Sequence, residues 1–277
     1  MRVDLLGIKV DALTMDQVLD QIVFLINSDK KHQIITANAE IVLASFGNTR
    51  YQNLINQSSL VVADGIGLLW AAKFLSLQPN GYFYSLIQLL LTGLSLIFFP
   101  KYCREILPER IAGVDLLLKI SERAIQKNWS VYLLGGQEEI AGNAATNLKK
   151  QYLDLKIAGA QSGPSNLNES NAEEIADLVN NINQARPDVL FVAFGAPQQD
   201  YWIQQNLPKL NTVKLAMGVG GALDFIAGKT KRAPQVYRDL GLEWLFRFWQ
   251  EPWRASRIFN ATVKFIYYIV KYKQLIK

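Results

Sequence analysis

The chain has almost none of the residues from which disulfides and metal centres are built. It contains one cysteine, Cys103, and one histidine, His32. A lone thiol excludes an internal disulfide and any cysteine cluster for zinc or iron–sulfur. A lone imidazole excludes a multi-histidine site, so any metal would need oxygen ligands. No basic segment followed by an apolar core and a cleavage site opens the chain. The stretch MRVDLLGIKVDAL reads as a first strand, which favours a cytoplasmic protein. Charge is missing altogether from residues 74–100, FLSLQPNGYFYSLIQLLLTGLSLIFFP.

What is present is apolar and unevenly charged. At 277 residues and 50% hydrophobic content a packed core is assured and disorder is excluded. The net charge is +5, but residues 229–277 hold eleven Lys and Arg against Asp239, Glu243 and Glu251, a local +8 that leaves −3 for the rest. A basic, aromatic tail suits an anionic surface, either lipid or nucleic acid.

Apolar runs of strand length alternate with helical patterns: QIITAN before AEIVLASF, LVVADG before IGLLWAAKFL, WSVYLLGG before QEEIAGNAATNLKKQYL, DVLFVAFGAP before QQDYWIQQNL, and finally VKLAMGVGG. Short continuous apolar strands, each followed by a turn and a helix, predict a mostly parallel sheet covered on both faces, an α/β domain of Rossmann-like type over residues 1–228. Ligands of such sheets bind beyond the carboxyl ends of the strands, where turn amides and helix N-termini converge. Those turns hold Thr36 and Asn38, Asp64 with Gly65 and Gly67, Gly135 and Gly136, Gly195 to Asp200, and Gly218 to Gly221.

Two nucleotide motifs fail. The dinucleotide fingerprint G-x-G-x-x-G meets Trp70 when started at Gly65 and Leu223 when started at Gly218; a P-loop ending in Gly228-Lys229-Thr230 also meets Leu223 where its first glycine belongs. This argues against an NAD-dependent oxidoreductase and a Walker-type NTPase. A nucleic-acid-binding module using the basic tail would leave the glycine turns and the uncharged segment without a purpose.

The uncharged segment is long enough for a helix to span a hydrocarbon layer of roughly 30 Å. A single crossing would separate Asp64 from the glycine turns after Val131 and destroy the sheet. The consistent readings are a membrane-dipping hairpin, broken at Pro79-Asn80-Gly81 or at Gly93, or an apolar insert over about 76–107 packed on the protein or in an oligomer interface. In the tail, bulky apolar residues alternate with Arg and Lys, and Trp244, Trp249 and Trp253 suit a bilayer interface. Residues 229–277 therefore read as a basic amphipathic helical appendage docking on a membrane, the alternative being a solvated helix packed on its own domain.

Taken in order, TANAE, ADGIGLLWA, PERIAGVDLL, VYLLGG, FGAPQQDYW, GVGGALDFIAG and KRAPQVYRDLGLEWLFR resemble the bacterial WecG/TagA/CpsF glycosyltransferases along nearly the whole chain. The resemblance implies a membrane-associated, metal-independent, inverting transferase. It moves a sugar, often N-acetylmannosamine from its UDP donor, to a polyprenyl-diphosphate-linked sugar on the cytoplasmic side of the membrane, for cell-wall or exopolysaccharide synthesis; a glucosyl or uronosyl donor is the alternative. Asp64 matches the family's general base, with Thr36 and Asn38 beside it. Arg110 and the tail residues Arg247, Arg254 and Arg257 match positions for neutralising the leaving group or gripping the acceptor diphosphate, and Gln199 a pocket glutamine. Gly136, Gly195, Gly218 and Gly220 supply turn amides. Nucleic acid is not an expected partner; a second copy of the chain is a possible one. The insert departs from the family pattern, in which a brief connection joins these blocks, and bears on which lipid acceptor is used.

The residues also allow plainer readings. Asp64 and Asn38 stand where helix N-caps stand, Thr36 is an ordinary strand residue, Arg110 neighbours Glu109, and Gln199 opens a helix. Asp224 either touches the donor or caps a turn. His32, after two lysines, reads as a surface residue, and Cys103 as a packing or surface residue rather than a nucleophile.

Overall fold

The computed structural model describes residues 1–78, 81–164, 167, 171–239, 243–250, 252 and 259–275. The chain opens with a hairpin, Arg2–Leu5 (β1) and Ile8–Asp11 (β2), turned at Leu6 and Gly7, both at positive φ. MRVDLLGIKVDAL is thus two strands of a separate antiparallel pair rather than the first strand of the main sheet.

The main sheet has six parallel strands: His32–Ala37 (β3), Leu60–Ala63 (β4), Ser130–Gly135 (β5), Lys156–Gln161 (β6), Val189–Ala193 (β7) and Leu215–Gly218 (β8), in the order β4-β3-β8-β7-β5-β6. Five are the apolar runs of the sequence. The sixth, KIAGAQ at the sheet edge, has no apolar run because it is half exposed, and periodicity passes over it. Side chains alternate between faces as a pleat requires. Val131, Leu133, Val189 and Phe191 join one core cluster, and Tyr132, Leu134, Leu190 and Val192 the opposite one. Against the first face pack Met15–Ile26 (α1), Gly113–Lys127 (α7), Ile140–Gln151 (α8) and Ala222–Ile226 (α11); against the second, Ala172–Ala185 (α9) and Gln198–Asn206 (α10).

A third cluster joins the hairpin and the β3–β4 edge to Ala39–Ser45 (α2), Thr49–Gln57 (α3) and Ile66–Ser76 (α4). Phe265 and Ile269 of the last helix, Phe265–Leu275 (α14), belong to it, so α14 is seated on the α/β core. It follows a π-helical turn, Asn260–Lys264, and the short helices Gln235–Asp239 (α12) and Glu243–Gln250 (α13). The tail cation Lys273 faces inward: it is buried, its Nζ donating to Phe74 O at 2.5 Å and Gln88 Oε1 at 2.6 Å, and burial lowers its pKa to about 8.

The uncharged insert forms Tyr82–Phe98 (α5) and Pro100–Cys103 (α6). Gly93 does not break α5; of the other proposed break, Pro79 and Asn80 lie outside the described residues and Gly81 is the N-cap. Among the described residues no helix is long and apolar enough to cross a membrane. The helix is inside-out. Ser85, Thr92 and Ser95 are buried, Thr92 Oγ1 accepting from Trp70 Nε1 at 2.9 Å, while Phe83, Leu90, Leu91, Leu94, Ile97 and Phe98 are exposed. Cys103 packs beneath it, 3.1 Å from Ser95 Oγ. His32 is buried rather than on the surface. Its ring bridges Ser28 Oγ and Ser59 Oγ at 2.7 and 2.8 Å, and burial, then Lys30 and Lys214, lower its pKa.

Candidate active site

The carboxyl ends of β3, β4, β5, β7 and β8 open into one cleft of about 1760 Å³. Thr36, Asn38, Asp64, Arg110, Gly136, Gly195, Gln199 and Gly220 all line it, as does Asp224. Residues from five separate turns thus meet because parallel strands place all their carboxyl ends on one side.

Asp64 follows β4, its N–H donating to Ala37 O at 2.7 Å, while Ile111 N donates to Ala63 O at 2.8 Å and draws the 110–113 loop alongside. The loop delivers the first amide of α7: Gly113 N–H donates to Asp64 Oδ2 at 3.0 Å. A helix N-terminus presents unsatisfied N–H groups, and Asp64 Oδ2 satisfies the first of them. A Cβ at Gly113 would sit 3.3 Å from Thr36 Oγ1 and 3.4 Å from Asp64 Oδ2, so a side chain there would crowd both. Thr36, Asp64 and Gly113 form one tight group on the cleft floor. Asn38 caps α2, accepting from Ile41 N at 2.9 Å, and also faces the cleft.

Gln199 is 4% exposed, and its Oε1 accepts from both Gly195 N (3.1 Å) and Gly220 N (2.9 Å). It ties the turn after β7 to the turn after β8. Gly218 lies behind this wall, where a Cβ would fall 2.5 Å from Gln199 Nε2. Beneath sits Asp200, whose Oδ2 accepts from Tyr51 Oη at 2.5 Å. Burial pushes the Asp200 carboxyl up to about 6, against hydrogen bonds from Tyr51 and Gln199; burial and Asp200 push the Tyr51 phenol upward.

This has a measurable consequence. The folded state holds the Asp200 proton more tightly than the unfolded chain, whose carboxyl titrates near 3.8, so the contribution is fully present below that value and is lost as pH rises through about 6. At 1.36 kcal/mol per unit the loss is roughly 3 kcal/mol. Asp200→Asn, which can still accept from Tyr51, should flatten this part of the curve. Denaturant midpoints from pH 4 to 7 check it; parallel wild-type and variant curves would assign the titration elsewhere.

Cations line the opposite wall. Arg232 grips Asp115, in the first turn of α7, through two bonds of 2.6 and 2.7 Å. Burial works against ionisation of Asp115, but Arg232, with Arg238 and Arg110 behind it, holds the carboxyl below its ordinary range. Arg110 pairs with Glu243 of α13 at 3.6 Å rather than with Glu109, whose Oε2 accepts from Met15 N at the start of α1. Lys229 reaches Gln137 Oε1 at 2.5 Å and lies 4.0 Å from Asp224. The side chain of Arg247 and all of Arg254 and Arg257 lie outside the described residues. Among the described residues no three His, Cys, Asp or Glu side chains gather as metal ligands.

Gly113, Arg232, Asp115 and Lys229 were not singled out from the sequence. Arg232 stands inside the KRAPQVYRDLGLEWLFR block, yet nothing in that block points to Asp115, which precedes it by 117 positions. Gly113 carried a weak signal, as the glycine opening the helix after PERIA.

A parallel sheet with a large cleft at its carboxyl edge, a carboxylate on the floor and arginines on the wall defines a ligand-binding α/β enzyme. The chain belongs to the glycosyl transferase WecG/TagA/CpsF family, whose model matches residues 3–92 and 88–276, and it is a glycosyltransferase. Proteins of Staphylococcus aureus strains MRSA252, MW2 and NCTC 8325, each named N-acetylglucosaminyldiphosphoundecaprenol N-acetyl-beta-D-mannosaminyltransferase, are 32% identical over 278 aligned positions, spanning 100% of this chain and 95% of the relative.

Proposed function

We propose that this chain transfers N-acetylmannosamine from a UDP donor to a polyprenyl-diphosphate-linked N-acetylglucosamine, at the inner face of the cell membrane. The observation that carries it is the Asp64 carboxylate, fixed by Gly113 N–H beside Thr36 on the floor of a cleft whose walls supply Arg110, Arg232, Lys229 and the glycine turns. In this reading the acceptor hydroxyl attacks the anomeric carbon and gives its proton to Asp64. The bond from that carbon to the diphosphate breaks, its electron pair leaves with UDP, and the configuration inverts. The charge growing on UDP is met by the cationic wall and by amides held in place before reaction, the arrangement that lowers a barrier most.

The membrane contact rests on α5. Its open face, from Phe83 to Phe98, leaves a run of large apolar side chains bare with no charge among them, and the environment that suits such a face is lipid. The division into a catalytic domain, 1–228, and a docking appendage, 229–277, belongs to the same proposal, with α14 fixing the appendage to the core.

The test is UDP release by the purified chain with a panel of UDP-sugars, with and without prenyl-diphosphate N-acetylglucosamine, in EDTA. Acceptor-dependent release from UDP-N-acetylmannosamine alone is expected. Release from another donor would replace the sugar; no release from any would overturn the reaction. Flotation with vesicles checks the membrane contact, and self-association without vesicle binding would assign the α5 face to a second copy.

A further inference from the structure

We propose that the cleft-facing edge of α5 is a track for the prenyl chain of the acceptor. Leu90, Gly93 and Leu94 would form one side and Phe265 and Ile266 of α14 the other, leading the chain from Asp64 to the bilayer. This rests on the reaction proposed above.

Three observations carry it. The same cleft that holds Asp64 is lined by Leu90, Gly93, Leu94, Phe265 and Ile266, so polar floor and apolar walls are one continuous surface. Leu90 and Leu94 are 66% and 53% exposed although they face into it, which leaves their side chains bare for a ligand. Gly93 sits in mid-helix, at a cost of about 1 kcal/mol against alanine. A Cβ there would meet nothing within 4 Å, so neither packing nor φ explains the glycine; its effect is a notch in the cleft wall beside Leu90.

Ser85, Thr92 and Ser95 point into the protein. Phe83, Leu90 and Leu94 share one exposed stripe of α5, and of these Leu90 and Leu94 lie where that stripe borders the cleft. Of the two substrates only the acceptor has an apolar part. With its diphosphate near Arg110 and Arg232, its chain must leave where the lining is apolar and uncharged. A second protein copy would cover the outward face but has no reason to line the interior of the cleft.

The experiment compares N-acetylglucosaminyl-diphosphate acceptors carrying a short, water-soluble prenyl chain or only a methyl group, using the full chain without vesicles. Wild type should favour the prenyl acceptor. Leu90→Ser/Leu94→Ser should raise the KM ratio of prenyl to methyl acceptor about tenfold, the loss expected when burial equivalent to about one leucine side chain is forfeited. Donor KM should not rise in step. Gly93→Leu, which favours the helix and fills the notch, should shift the ratio the same way. Equal KM changes for both acceptors, or a loss seen only when vesicles are added, would overturn the track while leaving the transfer reaction intact. Failure of wild type on every acceptor would overturn both.

Discussion

Asp64→Asn is expected to lower kcat by about two to four orders of magnitude, the range a general base supplies, while the dissociation constant for the UDP-sugar stays within a few-fold of wild type. The substitution is narrow because the asparagine oxygen can still accept from Gly113 N–H, so the 110–113 loop and Thr36 keep their places. What disappears is the group that takes the acceptor's proton. Single-turnover kinetics together with a donor titration separate the two effects. A rate near that of wild type would mean that another group takes the proton, and weakened donor binding would mean that Asp64 contacts the donor.

Arg232→Met should have the next largest effect, on two readouts. It strips the bidentate partner from the half-buried Asp115 and removes the cation that also faces Glu243 and Asp64. Removing one partner of a fully buried pair costs about 3–5 kcal/mol; with side chains here 19% and 36% exposed, water screens part of that, and about 1–3 kcal/mol is expected. Turnover should fall as well, since the arginine lines the cleft. The double variant Arg232→Met/Asp115→Asn tells the roles apart. Recovery of stability without recovery of kcat places the guanidinium on the leaving group, whereas recovery of both makes it a positioning residue for α7. Denaturant melts and steady-state rates on the four proteins of the cycle decide it.

The elements that were legible in advance are those whose burial is symmetric. β3, β4, β5, β7 and β8 lie inside the sheet or under helices on both faces, so each reads as an unbroken apolar run, and the turn after each run had to hold the site. β6 was illegible because, unlike the other edge strand β4, it is partly exposed, and KIAGAQ carries no run. His32 was misplaced because its environment comes from Ser28 and Ser59, neither beside it in the chain, which accept it into a polar niche under the surface. The inward face of α5 was hidden for a related reason. Serine and threonine read as polar and hence outward, but here Thr92 meets Trp70 of α4 and Ser95 meets Cys103, and that inversion depends on what lies opposite.

By itself the sequence determined the parallel α/β class, the edge of the sheet where chemistry must occur, the carboxylate at the end of β4 and the concentration of positive charge in the last fifty or so residues. Local period, turn residues and composition suffice for these, because each follows from how a short segment meets water. Only the tertiary structure decided which groups touch: Gly113 on Asp64, Gln199 across two glycine turns, Arg232 on Asp115, Lys273 under α5. Such contacts join segments far apart in sequence. Hydrogen bonds and ion pairs act over a few ångströms, and which groups come that close is set by the packing of whole elements rather than by the residues on either side.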